Sequence, residues 1–320
     1  MGVKRDFPDI PGQHGLATRA QLLARGWSYA TIDRYVHNVG REPFHSIIAP
    51  HAGPLDRLTV LTAAALWAGP AALLTGAAAL ECRGFLPLGE ASGFHFLIAA
   101  PGWCAESHVA RRIRTRRPMP AGDEVGAIRL APFTRSLVDM ARHRECSRTR
   151  ARALTIKALQ RKLVTADELR AEIRAGRRND TKAVRLGIDD YVGGAWSLPE
   201  AWLSRVVGRG RFPTMMTNPD LLTPEGEFIG APDGYFESAG VAVQVHSKEF
   251  HSGEDADGTD RWASTVEHDS DYAGHGILVV GVVPTTLRDA PERFLRRLSS
   301  AISSQAGRPL PRVVAVPRAA

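Results

Sequence analysis

The side chains best placed for chemistry lie in the last third of the chain: Glu200, Asp233, Gln244, His246, Lys248 and His251. Gln244, His246 and Lys248 alternate, and a strand with its period of two puts all three on one face. Val241, Val243 and Val245 fall between them and point the other way, into a core. Asp233 ends the preceding apolar run, and Glu200 belongs to a helix opened by Ser197. A Mg2+-dependent phosphodiester hydrolase needs oxygen ligands on a helix and adjacent strands, with a basic group beside the attacking water. In that reading Glu200, Asp233 and Gln244 hold the metal. His246 shares the catalytic face, and Lys248 or His251 assists the water. Each residue also has a plain structural use. Glu200 stands at N3 of a helix cap, and Asp233-Gly234 suits a turn. The strand face could simply be solvated, and His251 could be an ordinary loop histidine. Glu254, Asp255, Asp257 and Asp260 lack the spacing of a calcium loop and read as a solvated segment.

The elements around these residues read α-β-β-α-β-α. A helix runs from 197 to about 207, strands cover 227–231 and 240–247, and a polar loop spans 251–260. A helix over about 261–273, a strand at 276–283 and a helix at about 291–303 follow. This order implies an α/β domain over 195–320, with a small mixed sheet and helices on its faces. Gly193-Gly194 marks the joint before it.

The first residues carry a second kind of signal. Thr18 and Gln21 have capping-box spacing, and Gly26 ends the helix they open. Ser28 caps a second helix reaching about Val39, with Ile32, Val36 and Val39 on its apolar face. Tyr29, Arg34, His37 and Asn38 lie opposite, where they could reach groove edges or phosphates of double-stranded DNA. A β-ribbon over 41–48 completes an α+β winged helix within 1–54. Such a unit can equally serve protein contacts. The middle domain, 55–192, opens with the Ala-rich run 58–80, broken by Gly69-Pro70. It reads as two short buried helices rather than a membrane span. Strands follow between 93 and 132. The basic run 110–117 between them puts Arg112, Arg114 and Arg116 on one face, for phosphate contacts or as a solubilising surface. Helices extend from 134 to about 178, with a second capping box at Thr165 and Glu168.

Composition narrows the classes. Hydrophobic residues make up 44% and charged residues 23%, an ordinary globular balance that excludes collagen-like, coiled-coil and wholly disordered chains. The net charge of +7 favours nucleic acid only modestly. Cys82, Cys104 and Cys146 are too scattered for a zinc cluster or disulfide framework, so a reducing cytoplasm is expected. The N-terminus shows no apolar signal segment. No P-loop, GxGxxG, HExxH or GxSxG motif is present, which argues against nucleotide-dependent, zinc-protease and serine-hydrolase chemistry.

Ser197/Glu200, Asp233, Gln244/His246 and Phe250-His251 resemble the motifs of the PD-(D/E)XK nuclease superfamily over about 197–298. The nearest branch is that of very-short-patch-repair endonucleases. ATRAQLLARGWSYATIDRYV, GPAALLTGAAALECRGF and RLAPFTRSLVDMAR resemble the winged-helix and adjoining domain of AbiEi-type antitoxins of type IV toxin–antitoxin systems. Such proteins in actinobacteria often join both parts. The resemblance implies a DNA-binding regulator, a cognate toxin as partner, and a restriction-endonuclease-like fold at the C-terminus. The departures are specific: the family's strand Glu is Gln244, its strand Asp is His246, and its helix Arg is Glu267. Magnesium prefers hard anionic oxygen, and one lost charge about 4 Å away costs on the order of several kcal/mol. The expectation is therefore an antitoxin-like regulator whose nuclease-like domain is weak or dead. The alternatives are an active Mg2+-dependent endonuclease and a toxin-sequestering interaction module.

Overall fold

The computed structural model describes residues 6–246 and 270–318, an α/β chain with several small sheets. Lys248, His251, Glu267 and the acidic loop 254–260 lie outside the described residues. The chain divides into two units, Met1–Ala151 with Val164–Val184, and Arg152–Leu163 with Arg185–Ala320. Residues 1–54 thus share a unit with most of the middle segment. Packing explains this, because the ring of Phe44 lies 5.7 Å from both Trp67 and His108.

The first unit begins with strand β1 (Ala17–Thr18) running into helix α1 (Arg19–Ala24). Thr18 Oγ1 accepts the Gln21 N–H at 3.1 Å and Gln21 Oε1 accepts the Thr18 N–H at 2.8 Å, closing a capping box. Ser28 caps α2 (Tyr29–Asn38) by accepting the Thr31 N–H. Strands β2 (Arg41–Phe44) and β3 (Ile47–Ala49) form a hairpin, and β1 joins it in the order β1-β3-β2. Ala17, Leu22, Trp27, Ile32 and Ile48 make the core of this part. The stripe on α2 differs from the sequence reading. Val39 is 51% exposed, and Tyr35 packs in its place. The Tyr35 ring stacks on Phe7 at 5.3 Å and meets Trp27 edge-on, while its hydroxyl donates to the Pro50 carbonyl at 2.8 Å. Gly40 permits this closure. A Cβ there would lie 2.6 Å from the Ala49 carbonyl oxygen and 2.9 Å from the Tyr35 ring.

The Ala-rich run is not two successive helices. Helix α3 (Arg57–Ala68) and helix α4 (Gly76–Cys82) flank a strand, β4 (Leu73–Thr75). Gly69-Pro70 stops α3, and Leu73–Thr75 is then drawn into a sheet on both sides, where ladder pairing outweighs the helical preference of Leu. The five strands are β4, β5 (Phe94–Ala99), β6 (Ala110–Thr115), β7 (Asp123–Val125) and β8 (Ile128–Leu130), in the mixed order β6-β5-β4-β8-β7. Helices α5 (Phe133–Arg142), α6 (Arg148–Gln160), α7 (Ala166–Ala175) and α8 (Lys182–Val192) follow, the last unforeseen; α5 and α7 belong to the first unit, and most of α6 and α8 to the second. Among the described residues no helix is long and apolar enough to cross a membrane.

The second unit contains α9 (Leu198–Val207) and the short strands β9 (Met216–Thr217), β10 (Pro219–Leu222), β11 (Phe228–Gly230) and β12 (Gly234–Phe236). Strand β13 (Val241–Val245) and strand β14 (Leu278–Val282) come next, then α10 (Pro284–Asp289), α11 (Pro291–Gln305) and β15 (Val314–Pro317). One sheet has the order β14-β13-β12-β9, parallel only between β13 and β14. The other, β11-β10-β15, is antiparallel. Val241, Val243 and Val245 enter a core with Leu203, Phe236, Phe294 and Leu298. Ala242, on the opposite face of β13, packs with Leu221, Tyr235, Tyr272 and Ile277. The strand read at 227–231 is present as β11, whereas β9, β10 and β12 were not foreseen, being two to four residues long and set off by bends at Asn218, Gly226 and Asp233-Gly234.

Candidate functional site

Four of the six residues singled out for chemistry lie among the described residues, all in the second unit. Glu200 sits in the first turn of α9, whose N-cap Ser197 accepts the Glu200 N–H at 3.3 Å. The Glu200 carboxylate reaches past the cap. Its Oε2 accepts the Trp196 N–H at 2.7 Å and the Asn218 Nδ2 at 2.6 Å. The cap reading is therefore correct for the backbone and incomplete for the side chain. Asn218 was not foreseen. It takes a left-handed φ of +48° at the start of β10, which asparagine tolerates well. There it also donates to the Gly194 carbonyl at 2.8 Å, and its N–H reaches the Asp233 carbonyl at 3.3 Å. The Asn218-Pro219 pair was the available signal.

Asp233 lies between β11 and β12, and its Oδ2 accepts the Val245 N–H at 2.6 Å. Burial, with the Glu200 carboxylate second, pushes Asp233 up to about 7. The two carboxylates therefore share one electrostatic environment, and among the described residues no Lys or Arg ion-pairs with either. Gln244 stands on β13 opposite Gly281 of β14. Its Oε1 is buried with no hydrogen-bond partner among the described residues, a costly state for an amide oxygen. His246 follows at the strand end, with its N–H donating to the Val282 carbonyl at 2.8 Å. The ring occupies space that Gly281 leaves open, since a Cβ there would lie 2.8 Å from His246 Nε2.

Glu200 and Asp233 act on one another electrostatically, and both carboxylates are engaged by N–H donors. Among the described residues no three His, Cys, Asp or Glu side chains form a metal-holding group. Among the described residues Glu200 and Asp233 are thus the only two anionic donors here, fewer than the three or more oxygen ligands a divalent ion takes from a protein site.

A second ionic cluster occupies the first unit. Asp139, on α5, accepts from Arg135 Nε at 2.6 Å, Arg142 Nη1 at 3.1 Å and Thr75 Oγ1 at 3.0 Å. Glu172 takes both guanidinium nitrogens of Arg117, at 2.6 and 2.8 Å, and Arg142 at 2.9 Å. Burial pushes Glu172 up, but hydrogen bonds from Arg117 and Arg142 outweigh it and hold this carboxylate below its ordinary range. Beside them His95 Nδ1 lies 2.9 Å from Glu145 Oε1, and burial lowers His143 to about 4.

The residues read as nucleic-acid contacts divide. Tyr29, Arg34, His37 and Asn38 are all exposed on α2, Tyr29 at 65%. Arg112, Arg114 and Arg116 do not form one outward row. Arg112 turns onto Trp67, its guanidinium 4.2 Å from the ring centre and hydrogen-bonded to the Trp67 carbonyl. Arg114 is exposed on β6. Arg116 is exposed beyond the strand, which ends at Thr115.

No protein-family profile matches the sequence. No curated protein matches it either. Among solved structures the chain is similar to the RV2827C protein from Mycobacterium tuberculosis, at 13% identity and a TM-score of 0.40, over 63% of this chain and 78% of that one.

Proposed function

We propose that the chain is a DNA-binding, antitoxin-like transcriptional regulator. Its α1–α2 pair and β1-β3-β2 sheet act as a winged helix, and its second unit is a nuclease-like domain without metal-dependent activity. The observation that carries the reading is the solvent face of α2. Tyr29, Arg34, His37 and Asn38 are all exposed there, on a helix braced from behind by Ile32 and Tyr35. A buttressed helix with a cationic and amide-bearing outer face is the arrangement that enters a major groove. The second unit supports the other half. Gln244 and His246 stand where the resemblance expects strand carboxylates, which leaves Glu200 and Asp233 as its anionic donors among the described residues.

Binding of a mixed-sequence duplex, followed by fluorescence anisotropy across salt concentrations, tests the first half. Phosphate contacts predict a linear fall of log affinity with log salt, and the combined Arg34→Ala, His37→Ala and Asn38→Ala variant should bind about tenfold or more weakly. A flat salt response with no loss in that variant overturns it and favours a protein-sequestering role. Incubation with plasmid and Mg2+ or Mn2+ tests the second half. No nicking is expected, and nicking abolished by both Glu200→Gln and Asp233→Asn would establish an active endonuclease instead.

A further inference from the structure

Strand β6 is the outer strand of its five-stranded sheet, and the loop before it folds back along the open edge. The Arg112 N–H donates to the Ala105 carbonyl at 2.8 Å, and the Ser107 N–H to the Ala110 carbonyl at 2.7 Å. Glu106 and Arg111 form an antiparallel bridge between them. At its other end the loop rounds the tip of β6, where the Ala100 N–H donates to the Thr115 carbonyl at 3.0 Å and the Gly102 N–H to the Ala99 carbonyl at 2.8 Å. Trp103 therefore stands in the loop between the Gly102–Ala99 turn at the end of β5 and the Arg112–Ala105 hydrogen bond on the open edge of β6.

Two features meet at this edge. Trp103 is 84% exposed, more than any other large apolar side chain among the described residues. The basic run also divides around it. Arg112 is turned onto Trp67 and Arg117 is bound by Glu172, whereas Arg114 and Arg116 are exposed and have no ion-pair partner among the described residues. Arg111 reaches only Glu106, at 4.0 Å and in solvent, a contact worth little. An isolated exposed apolar residue is unremarkable by itself. An exposed indole on the loop that edges Arg114 and Arg116, two outward guanidinium groups with no ion-pair partner among the described residues, is different, because it pairs a stacking surface with phosphate contacts. Bases in a duplex are already stacked, so the matching ligand is an unpaired strand.

We infer that this edge binds single-stranded DNA, with Trp103 stacking on a base and Arg114 and Arg116 contacting the flanking phosphates. The inference rests on the nucleic-acid reading above for its class of partner, but uses a different surface from α2. Anisotropy with a labelled oligothymidine tests it in the full chain. Trp103→Ala should weaken binding about tenfold or more, because stacking on an aromatic side chain accounts for much of sequence-tolerant affinity. Trp103→Phe should retain most of the binding, and Arg114→Ala with Arg116→Ala should reduce both affinity and salt dependence. Unaltered thermal melting shows that each variant folds. The triple α2 variant should lose duplex and keep oligothymidine, and Trp103→Ala should do the reverse. Duplex binding without oligothymidine binding, or equal binding by Trp103→Ala and the parent, overturns this inference and leaves the α2 reading intact. Binding of neither ligand overturns both.

Discussion

Each unit buries a pair of acidic side chains, and the two pairs are treated in opposite ways. In the first unit Asp139 and Glu172 meet three guanidinium groups and a hydroxyl, so each negative charge is matched. In the second unit, among the described residues, Glu200 and Asp233 meet only N–H donors, and the Gln244 amide oxygen has no hydrogen-bond partner. Arginine matching keeps Glu172 ionised, while burial beside another acid returns a proton to Asp233. Buried charge that is fully matched is a structural device. Carboxyl groups gathered without cations raise one another's proton affinity instead.

The contrast is easiest to break by neutralising one acid in each unit. Asp139→Asn removes one of two acids shared by Arg135 and Arg142, leaves Glu172 alone to face three guanidinium groups, and should cost about 3 kcal/mol in denaturant unfolding. Asp233→Asn should cost little at pH 5, where the native acid already holds its proton. If the two substitutions cost the same, the proposed difference between the pockets fails.

The pH dependence sharpens the same point. The unfolded Asp233 carboxyl releases its proton near 3.8, whereas the folded one keeps it to about 7. Through that window the native state binds more protons, so stability should fall as pH rises. Asp233→Asn abolishes this loss, and at pH 8 it should exceed the parent by on the order of 2 kcal/mol after allowance for solvent screening. Parallel stability curves for parent and variant between pH 4 and pH 8 would contradict it. His143 works in the opposite sense. Its unfolded value is 6.5 and its folded value about 4, so its contribution is present above 6.5 and is lost as pH falls towards 4. His143→Gln should flatten that acid limb by about 1–2 kcal/mol, readable from melting temperatures at pH 7 and pH 4.5.

Local rules carried part of this architecture into view from residue types alone. The caps at Thr18, Ser28, Thr165 and Ser197 depend on spacings of three residues and were readable. The alternation of Val241, Val243 and Val245 fixed the inward face of β13. What escaped depends on distant partners. Strand β4 hides inside an Ala/Leu run until β5 and β8 pair with it. The pairing of Pro219–Leu222 with Val314–Pro317 spans much of the second unit's sequence. Arg112 looked like one of a row of phosphate contacts because nothing nearby in sequence announces Trp67. Asn218 was missed for the same reason, since its role exists only once Glu200 arrives beside it.

The bare α-carbon of Gly40 has a wider effect than its size suggests. With the Ala49 carbonyl on one side and the Tyr35 ring on the other, it leaves the second helix and the hairpin no slack at their junction. The two prongs must therefore advance on any partner together, at a fixed splay. A single methyl wedged there would change the aim of the helix without touching one of its outward residues.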